Sequence, residues 1–531
     1  MINPVRATRG IAVAPHALAA QSASAVLREG GNALEAMIAA AATIAVVYPH
    51  MNGIGGDSFW LFSEPGKAPR AIDSCGAAAA GATREFYAAK GMSAIPMRGP
   101  LAANTVAGTI SGWDLAFRVS REWGGKLSLQ RLLADAIGYA RNGIPVTASQ
   151  TASTTAKFGD LHMQPGFADT FLVGGSAPVE GSVFLQPRMA ATLERLASTG
   201  LRDFYEGDLA RRIAADLERL GSPLRAADLA RHKAELRTPV ELQHSRGKLY
   251  NMTPPTQGVI SLAILGVLDR LGVDKVDPMS ADYIHLSVEA TKQAFLVRDQ
   301  YVTDPAYMTV EAQSLLDAGK LDAMAGNVDR HRALSWGGAT EPGDTIWMGV
   351  IDGEGRAVSF IQSIYHEFGS GVVLPDTGIN WQNRGCSFSL DPRALNTLEP
   401  GRKPFHTLNP ALALLDDGRT MVYGTMGGDG QPQTQAAVFS RYVQMGMGLQ
   451  QAVTAPRWLL GRTWGSMSES LKIESRFAPR VAEELRRRRH VVDVIGAFDE
   501  TVGHAGALVR HPNGMMEGAF DPRSDGAVAG F

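Results

Sequence analysis

The pattern of the chain changes abruptly at residue 345, and no other feature limits the fold as much. Residues 323–344, AMAGNVDRHRALSWGGATEPGD, are polar, Gly-rich and poor in periodicity. Such a stretch reads as exposed and mobile. Directly after it, Thr345-Ile346-Trp347-Met348-Gly349-Val350-Ile351-Asp352 switches to period two and reads as a strand. Gly353-Glu354-Gly355 turns the chain, and Arg356 to Tyr365 returns as the second strand of a hairpin. Ala411 to Leu415 and Thr420 to Gly424 predict another hairpin around Asp416-Asp417-Gly418, with a helix from about Thr434 to Met445 behind it. Hairpins in place of strand–helix–strand crossovers call for an antiparallel sheet core covered by helices.

The rest of the chain supplies those helices. Leu18 to Arg28 and Ala33 to Val47 carry small and branched apolar residues at helical spacing, and Gly30-Gly31-Asn32 between them reads as a C-cap followed by an N-cap. Pro49 to Asp57 follows, with glycine at 53, 55 and 56, before Ser58-Phe59-Trp60-Leu61-Phe62 resumes as a strand. Those glycines require a sharp turn or a close backbone approach. Residues 125–330 read as mostly helical, with long amphipathic patterns over Leu209 to Leu220 and Ala281 to Thr303. Asn251 to Gly258, with its Pro254-Pro255 pair, is a stiff loop before another apolar helix. There is no internal repeat and no low-complexity tail.

Composition excludes several classes. At 531 residues the chain has room for three or four domain-sized units or one large intertwined fold. Apolar residues at 45% and charged residues at 20% are those of a soluble protein with a large core. The net charge of −2 shows no basic excess, so neither nucleic acid nor an anionic membrane is an expected partner. The longest apolar run, Ala36 to Tyr48, is too short and too Ala-rich to span a membrane. Met1 to Arg6 has no apolar segment behind a basic one, which predicts no secretory signal. The two cysteines, Cys75 and Cys386, form neither a C-x-x-C pair nor a disulfide framework. A cytoplasmic protein without metal is the expectation.

Three places could carry chemistry. Thr345 sits where the polar stretch meets the strand, after Gly343-Asp344. Cleavage before it would free an α-amine with a pKa of about 8 beside the hydroxyl, a base able to activate a Thr nucleophile. In Thr425-Met426-Gly427-Gly428-Asp429-Gly430, two glycines between a strand and a helix can aim successive N–H groups at one point, as an oxyanion hole does. Ser363, on the partner strand, is placed to hydrogen-bond a nearby nucleophile or amine. Taken singly, each has an ordinary alternative: a strand-starting Thr, a turn needing positive φ, and a strand Ser. His50, His366 and His406 have no metal spacing among them and read as structural.

Together and in order these pieces resemble the γ-glutamyltransferase family of N-terminal-nucleophile hydrolases. Six blocks carry the likeness nearly end to end: residues 30–62, Pro254 to Gly258, HLSVEATKQAFLVRDQYVTDP at 285–305, DTIWMGVIDGEGRAVSFIQSIYHEFGSG at 344–371, TMGGDGQPQTQ at 425–435, and DPRSDGAVAGF at 521–531. The resemblance implies an α+β fold, a four-layer αββα sandwich. It implies a proenzyme that cuts its own Asp344–Thr345 bond into a large subunit, 1–344, and a small subunit, 345–531, which together make one fold. Thr345 then attacks an amide carbonyl, its own amine moves the proton, and the Gly427 and Gly428 N–H groups hold the oxyanion. Ser363 stands where the family often has a Thr bonded to the nucleophile.

The departures bear on substrate. Relatives that grip a γ-glutamyl group use an Arg in the strand after the glycine loop, where this chain has Ala71-Ile72-Asp73-Ser74-Cys75-Gly76. They use an Asp before Phe-Ser, where this chain has Ser387, and a Ser-Ser pair where it has His406-Thr407. The segment at about 390–403, which forms a lid in the family, is short. The α-amino-acid clamp is therefore absent at both poles, whereas Arg384 and His406 can still bind an anion. This points to a small acidic amide without an α-ammonium, and the PHMNGIGGDSFW and NRGCSF blocks resemble the branch that hydrolyses oxamate to oxalate and ammonia. The alternatives are a γ-glutamyl hydrolase or transferase with a rebuilt site, a β-lactam side-chain acylase, and an unprocessed binding protein. No cofactor is implied, and a dimer of heterodimers is among the assemblies left open.

Overall fold

Two seven-stranded sheets are woven from the described residues, 2–337, 344–461 and 468–531 of a computed structural model. One sheet runs, in spatial order, Val5–Ala7, Met516–Phe520, Ala505–Arg510, Thr420–Thr425, Ala411–Leu415, Gly247–Asn251 and Val240–His244. The other runs Ala527–Gly530, Gly10–Ala14, Asp344–Asp352, Ala357–Tyr365, Asp57–Ser63, Arg70–Asp73 and Glu235–Arg237. All neighbours pair antiparallel. Each sheet mixes strands from both sides of residue 345, so neither 1–344 nor 345–531 completes a sheet alone.

Alternation along the strands builds the layers. Trp347 and Ile351, with Ile11, Phe59 and Leu61, meet Leu412, Val422 and Leu508 of the opposite sheet in a core between the two. The intervening Ile346, Met348 and Val350 face outward into a second core with the helices Ala17–Arg28 and Ala33–Val47. A third core packs Gly258–Leu271, Ala281–Tyr301 and Gly430–Phe439 on the outer face of the first sheet. This is the αββα sandwich expected from the sequence. Ala33–Val47 is buried on every side, which is why its pattern is Ala-rich rather than amphipathic. The indole of Trp347 fits between the sheets because Gly424 and Gly506 lack side chains. A Cβ there would fall 2.2 and 2.6 Å from it. Its Nε1–H donates to Ser359 Oγ at 2.9 Å.

Local signals held at the helix ends and hairpins. Gly30 has φ +85°, and Asn32 caps the second helix in a reciprocal box with Glu35. Both expected hairpins form, Asp344–Asp352 with Ala357–Tyr365 and Ala411–Leu415 with Thr420–Thr425. Three details differ. Val240–His244 and Gly247–Asn251 make a hairpin within the stretch read as helical, and it completes one sheet edge. The helix expected from Thr434 already begins at Gly430, because Pro432 sits in the first turn, where a missing N–H costs nothing. The polar stretch from 323 is not free where it is described. A helix, Ala318–Gly326, runs into it, Leu334 N–H donates to Glu289 Oε2 at 2.9 Å, and Lys292 Nζ donates to Leu334 O at 2.6 Å. Glu289 and Lys292 are buried, so they pin a segment whose composition reads as loop. The remainder, 338–343, lies outside the described residues. No helix among the described residues is long and apolar enough to cross a membrane.

Candidate active site

Thr345 is 1% exposed, at the start of an internal strand of its sheet. Asp344 pairs with Tyr365 and Ile346 with Gln362, so Thr345 stands opposite two residues, Ser363 and Ile364, and the bulge lies in the partner strand. A bulge re-aims the side chain it carries. Tyr365 opposite has φ +83°, rare for an aromatic residue, and its N–H donates to Ser363 Oγ at 2.7 Å. Ser363 is buried and pairs with Asp57 of the next strand. Gly55 and Gly56 serve close approach behind it: a Cβ on Gly56 would lie 2.0 Å from Ser363 O, and one on Gly55 2.2 Å from Asn380 O.

Arg384 opens a short turn, Arg384–Ser387, and its guanidinium lies 3.7 Å from the Tyr365 ring centroid. It is fully buried, and its Nη1 reaches Thr407 Oγ1 at 3.5 Å. Next to Thr407, the His406 ring is sealed from solvent, and its Nε2 bonds Asp57 Oδ2 at 3.1 Å. The N–H groups of Gly76 and Gly108 both donate to Asp57 Oδ1 at 3.0 Å. Burial raises the Asp57 carboxyl to about 7 against the lowering by those N–H groups and Arg384. Burial, then Arg384, then Lys403 hold His406 well below the usual imidazole range. Asp57 was missed at the sequence level. Its signal was an acidic residue opening an otherwise apolar strand, which reads equally as a turn residue.

Gly427 and Gly428, at φ +115° and +52°, form the turn between Thr420–Thr425 and Gly430–Phe439. Among the described residues neither glycine N–H meets an acceptor. The Gln257 amide binds the turn to the cluster above: its Nε2 donates to Gly428 O and to Thr407 O, both at 3.0 Å. Gln257 Oε1 accepts from Arg298 Nη1 at 3.3 Å, and Arg298 pairs with Asp429 at 2.9 Å. Gln257, Arg298 and Asp429 lie in blocks read from the sequence, but as family signatures and not as site residues.

The structure divides the four substrate-contact candidates. Arg384, His406 and Thr407 come together, with Tyr365 and Asp57. Ser387 lies one turn away on a cavity of about 330 Å³, shared with Arg298, Asp429, Leu395, Asn396 and Phe405. Among the described residues its buried Oγ has no hydrogen-bond partner, and its carbonyl accepts from Asn396 Nδ2 at 3.0 Å, which ties down the 390–403 segment. Where an Arg was noted as absent, Asp73 instead meets Lys403 Nζ at 2.6 Å, so the nearby cation comes from a different segment.

Other polar groups are engaged elsewhere. His50 Nε2 bonds Ser149 Oγ at 2.9 Å. Among the described residues, His285, Glu289 and His490 lie close enough to share a cation. Their atoms are already committed: His285 Nδ1 to His490 Nε2 at 2.8 Å, His285 Nε2 to Asp329 O at 2.7 Å, and Glu289 Oε1 to Lys292 Nζ at 2.7 Å. Cys75 and Cys386 form no disulfide.

Comparisons with known proteins agree with this frame. The profile of the Gamma-glutamyltranspeptidase family matches residues 19–531. An oxamate amidohydrolase proenzyme of Klebsiella pneumoniae is 59% identical over 525 residues, covering 99% of each chain. A glutathione hydrolase-like YwrD proenzyme of Bacillus subtilis is 42% identical over 532 residues, covering all of both chains. The crystal structure of a cephalosporin acylase from Bacillus halodurans superposes with a TM-score of 0.91 at 33% identity, covering 100% of this chain and 97% of that one. The chain belongs to the gamma-glutamyltranspeptidase family and is an amidohydrolase of the N-terminal-nucleophile class.

Proposed function

We propose that the chain cuts itself between Asp344 and Thr345 and then hydrolyses oxamate to oxalate and ammonia. Subunits 1–344 and 345–531 stay together because both sheets need strands from each. The Thr345 hydroxyl attacks the amide carbon while the freed α-amine takes its proton. The Gly427 and Gly428 N–H groups meet the oxyanion, and Ser363 helps to hold the nucleophile end of the strand. Collapse of the intermediate passes the proton to the leaving nitrogen, which departs as ammonia. Water then cleaves the acyl-enzyme, releasing oxalate. Arg384 and Thr407 hold the substrate carboxylate, and His406 lies beside them.

The observation that carries this reading is the buried guanidinium of Arg384, stacked on the cross-strand partner of Asp344. A buried cation at that position suits a carboxylate and repels an ammonium. The full-length likeness to an oxamate amidohydrolase supports the same substrate. A cytoplasmic setting fits the reading, and a dimer of heterodimers stays within it, to be decided by sedimentation of the processed protein. The test is ammonia release from oxamate against cleavage of a γ-glutamyl anilide. A higher kcat/KM for the anilide would overturn the substrate assignment in favour of a rebuilt γ-glutamyl site.

A further inference from the structure

The Asp57–His406 pair has no part in the acyl transfer described above, yet both side chains are fully buried and Arg384 acts on each of them. Its hydrogen bonding is incomplete. Asp57 Oδ1 is satisfied by two backbone N–H groups, and Oδ2 meets His406 Nε2. His406 Nδ1 is buried and, among the described residues, has no hydrogen-bond partner. A buried ring nitrogen without a partner is costly unless a ligand supplies one.

The proton count decides what that ligand can be. With a carboxylate at Asp57 and a neutral ring at His406, the one proton of the pair lies between Nε2 and Oδ2, and Nδ1 is a bare acceptor. With one more proton on the pair, Nδ1 carries N–H and becomes a donor, whichever partner holds the shared proton. A carboxylate bound at Arg384 and Thr407 brings acceptors only. It also adds a negative charge next to a pair whose extra proton Arg384 disfavours.

We infer that binding of a small carboxylate at Arg384 is coupled to uptake of one proton by the Asp57–His406 pair, which turns His406 Nδ1 into a donor toward the bound anion. The inference rests on the anion-site reading of Arg384. The charged and titratable groups facing the pair are Arg384, Lys403 held by Asp73, Cys75 and Tyr205. Arg384 and Lys403 both disfavour the extra proton at His406, and an arriving carboxylate offsets Arg384. Because burial raises Asp57 to about 7, the empty pair already holds the extra proton at pH 6 and lacks it well above pH 7. The uptake is therefore expected on the alkaline side.

The test is calorimetric titration of the processed protein with oxalate, which stays fully ionised across the range, in buffers of different ionisation enthalpy. Uptake of about one proton is expected at pH 8.5 and close to none at pH 6, with Kd rising about tenfold per pH unit above pH 7.5. In Asp57→Asn and in His406→Gln the uptake at pH 8.5 disappears and Kd loses its pH dependence. Oxalate binding at pH 8.5 with no proton taken up and a flat Kd overturns the inference and leaves the anion site standing. If neither oxalate nor oxamate binds at any pH while a neutral amide is hydrolysed, the anion site falls and the inference with it. If a variant does not fold, the pH series on the unaltered protein decides alone.

Discussion

Replacing Arg384 by Met separates a carboxylate contact from a structural role. The side chain is fully buried, sits 3.7 Å from the Tyr365 ring centroid and touches Thr407 at 3.5 Å, so Met keeps most of the apolar packing and loses the charge. Loss of the cation removes a charge that lowers the Asp57 carboxyl, so Asp57 rises further, stays protonated at neutral pH and leaves no uncompensated charge in the empty site. The fold is therefore expected to survive. The bound carboxylate is then buried without its cation, at a cost of about 3–5 kcal/mol. At about 1.4 kcal/mol per decade, kcat/KM for oxamate should fall by about two to four powers of ten. Oxamide has the same shape with a neutral amide in place of the carboxylate, and its hydrolysis should change by less than about fivefold. Ammonia release from the two substrates, measured in parallel with circular dichroism of the variant, gives the answer. Equal losses for both substrates, or none for oxamate, would refute the anion contact.

Thr345→Ala should remain a single chain without activity, whereas the unaltered protein should give bands of roughly 37 and 20 kDa, in proportion to length. The smaller should begin Thr-Ile-Trp-Met on N-terminal sequencing, and any other N-terminus removes Thr345 as the nucleophile. Gly427→Ala forces an L residue toward φ +115° and should distort the turn by about 1–3 kcal/mol, lowering kcat roughly ten- to a hundredfold. Gly428→Ala, at φ +52°, lies in the region L residues reach more readily and should lose less. A folded Gly427→Ala enzyme with unaltered kcat would exclude the turn from oxyanion binding. Trp347→Ala empties the space between the sheets opposite Gly424 and Gly506 and should destabilise by about 3–5 kcal/mol, read as a lower midpoint in urea. A shift below about 1 kcal/mol would mean that the sheets close over the gap.

What the sequence determined is what local rules govern. Ala33–Val47 was legible to the residue because Asn32 and Glu35 cap it and its apolar run has helical length. The two hairpins were legible because alternation and Gly-rich turns are local, and the same alternation in Val240–His244 was passed over beside long helical patterns. Thr345, Gly427 and Gly428 could be singled out because each stands at a boundary between patterns, and Ser363 because it lies on the partner strand of the hairpin that Thr345 opens. The tertiary structure decided the environment of the site. Asp57 and His406 are 349 positions apart, and no periodicity links them. The burial of Arg384 was not legible in its loop sequence, because the Tyr365 ring it packs on comes from a strand end with left-handed backbone. Ser387, predicted with Arg384, lines a cavity with Arg298 and Asp429, residues brought from two other parts of the chain. Residues up to 337 are polar and yet pinned, because the buried Glu289 and Lys292 that hold them belong to another helix. A buried charge takes its meaning from what surrounds it, and those surroundings are assembled from distant parts of the chain.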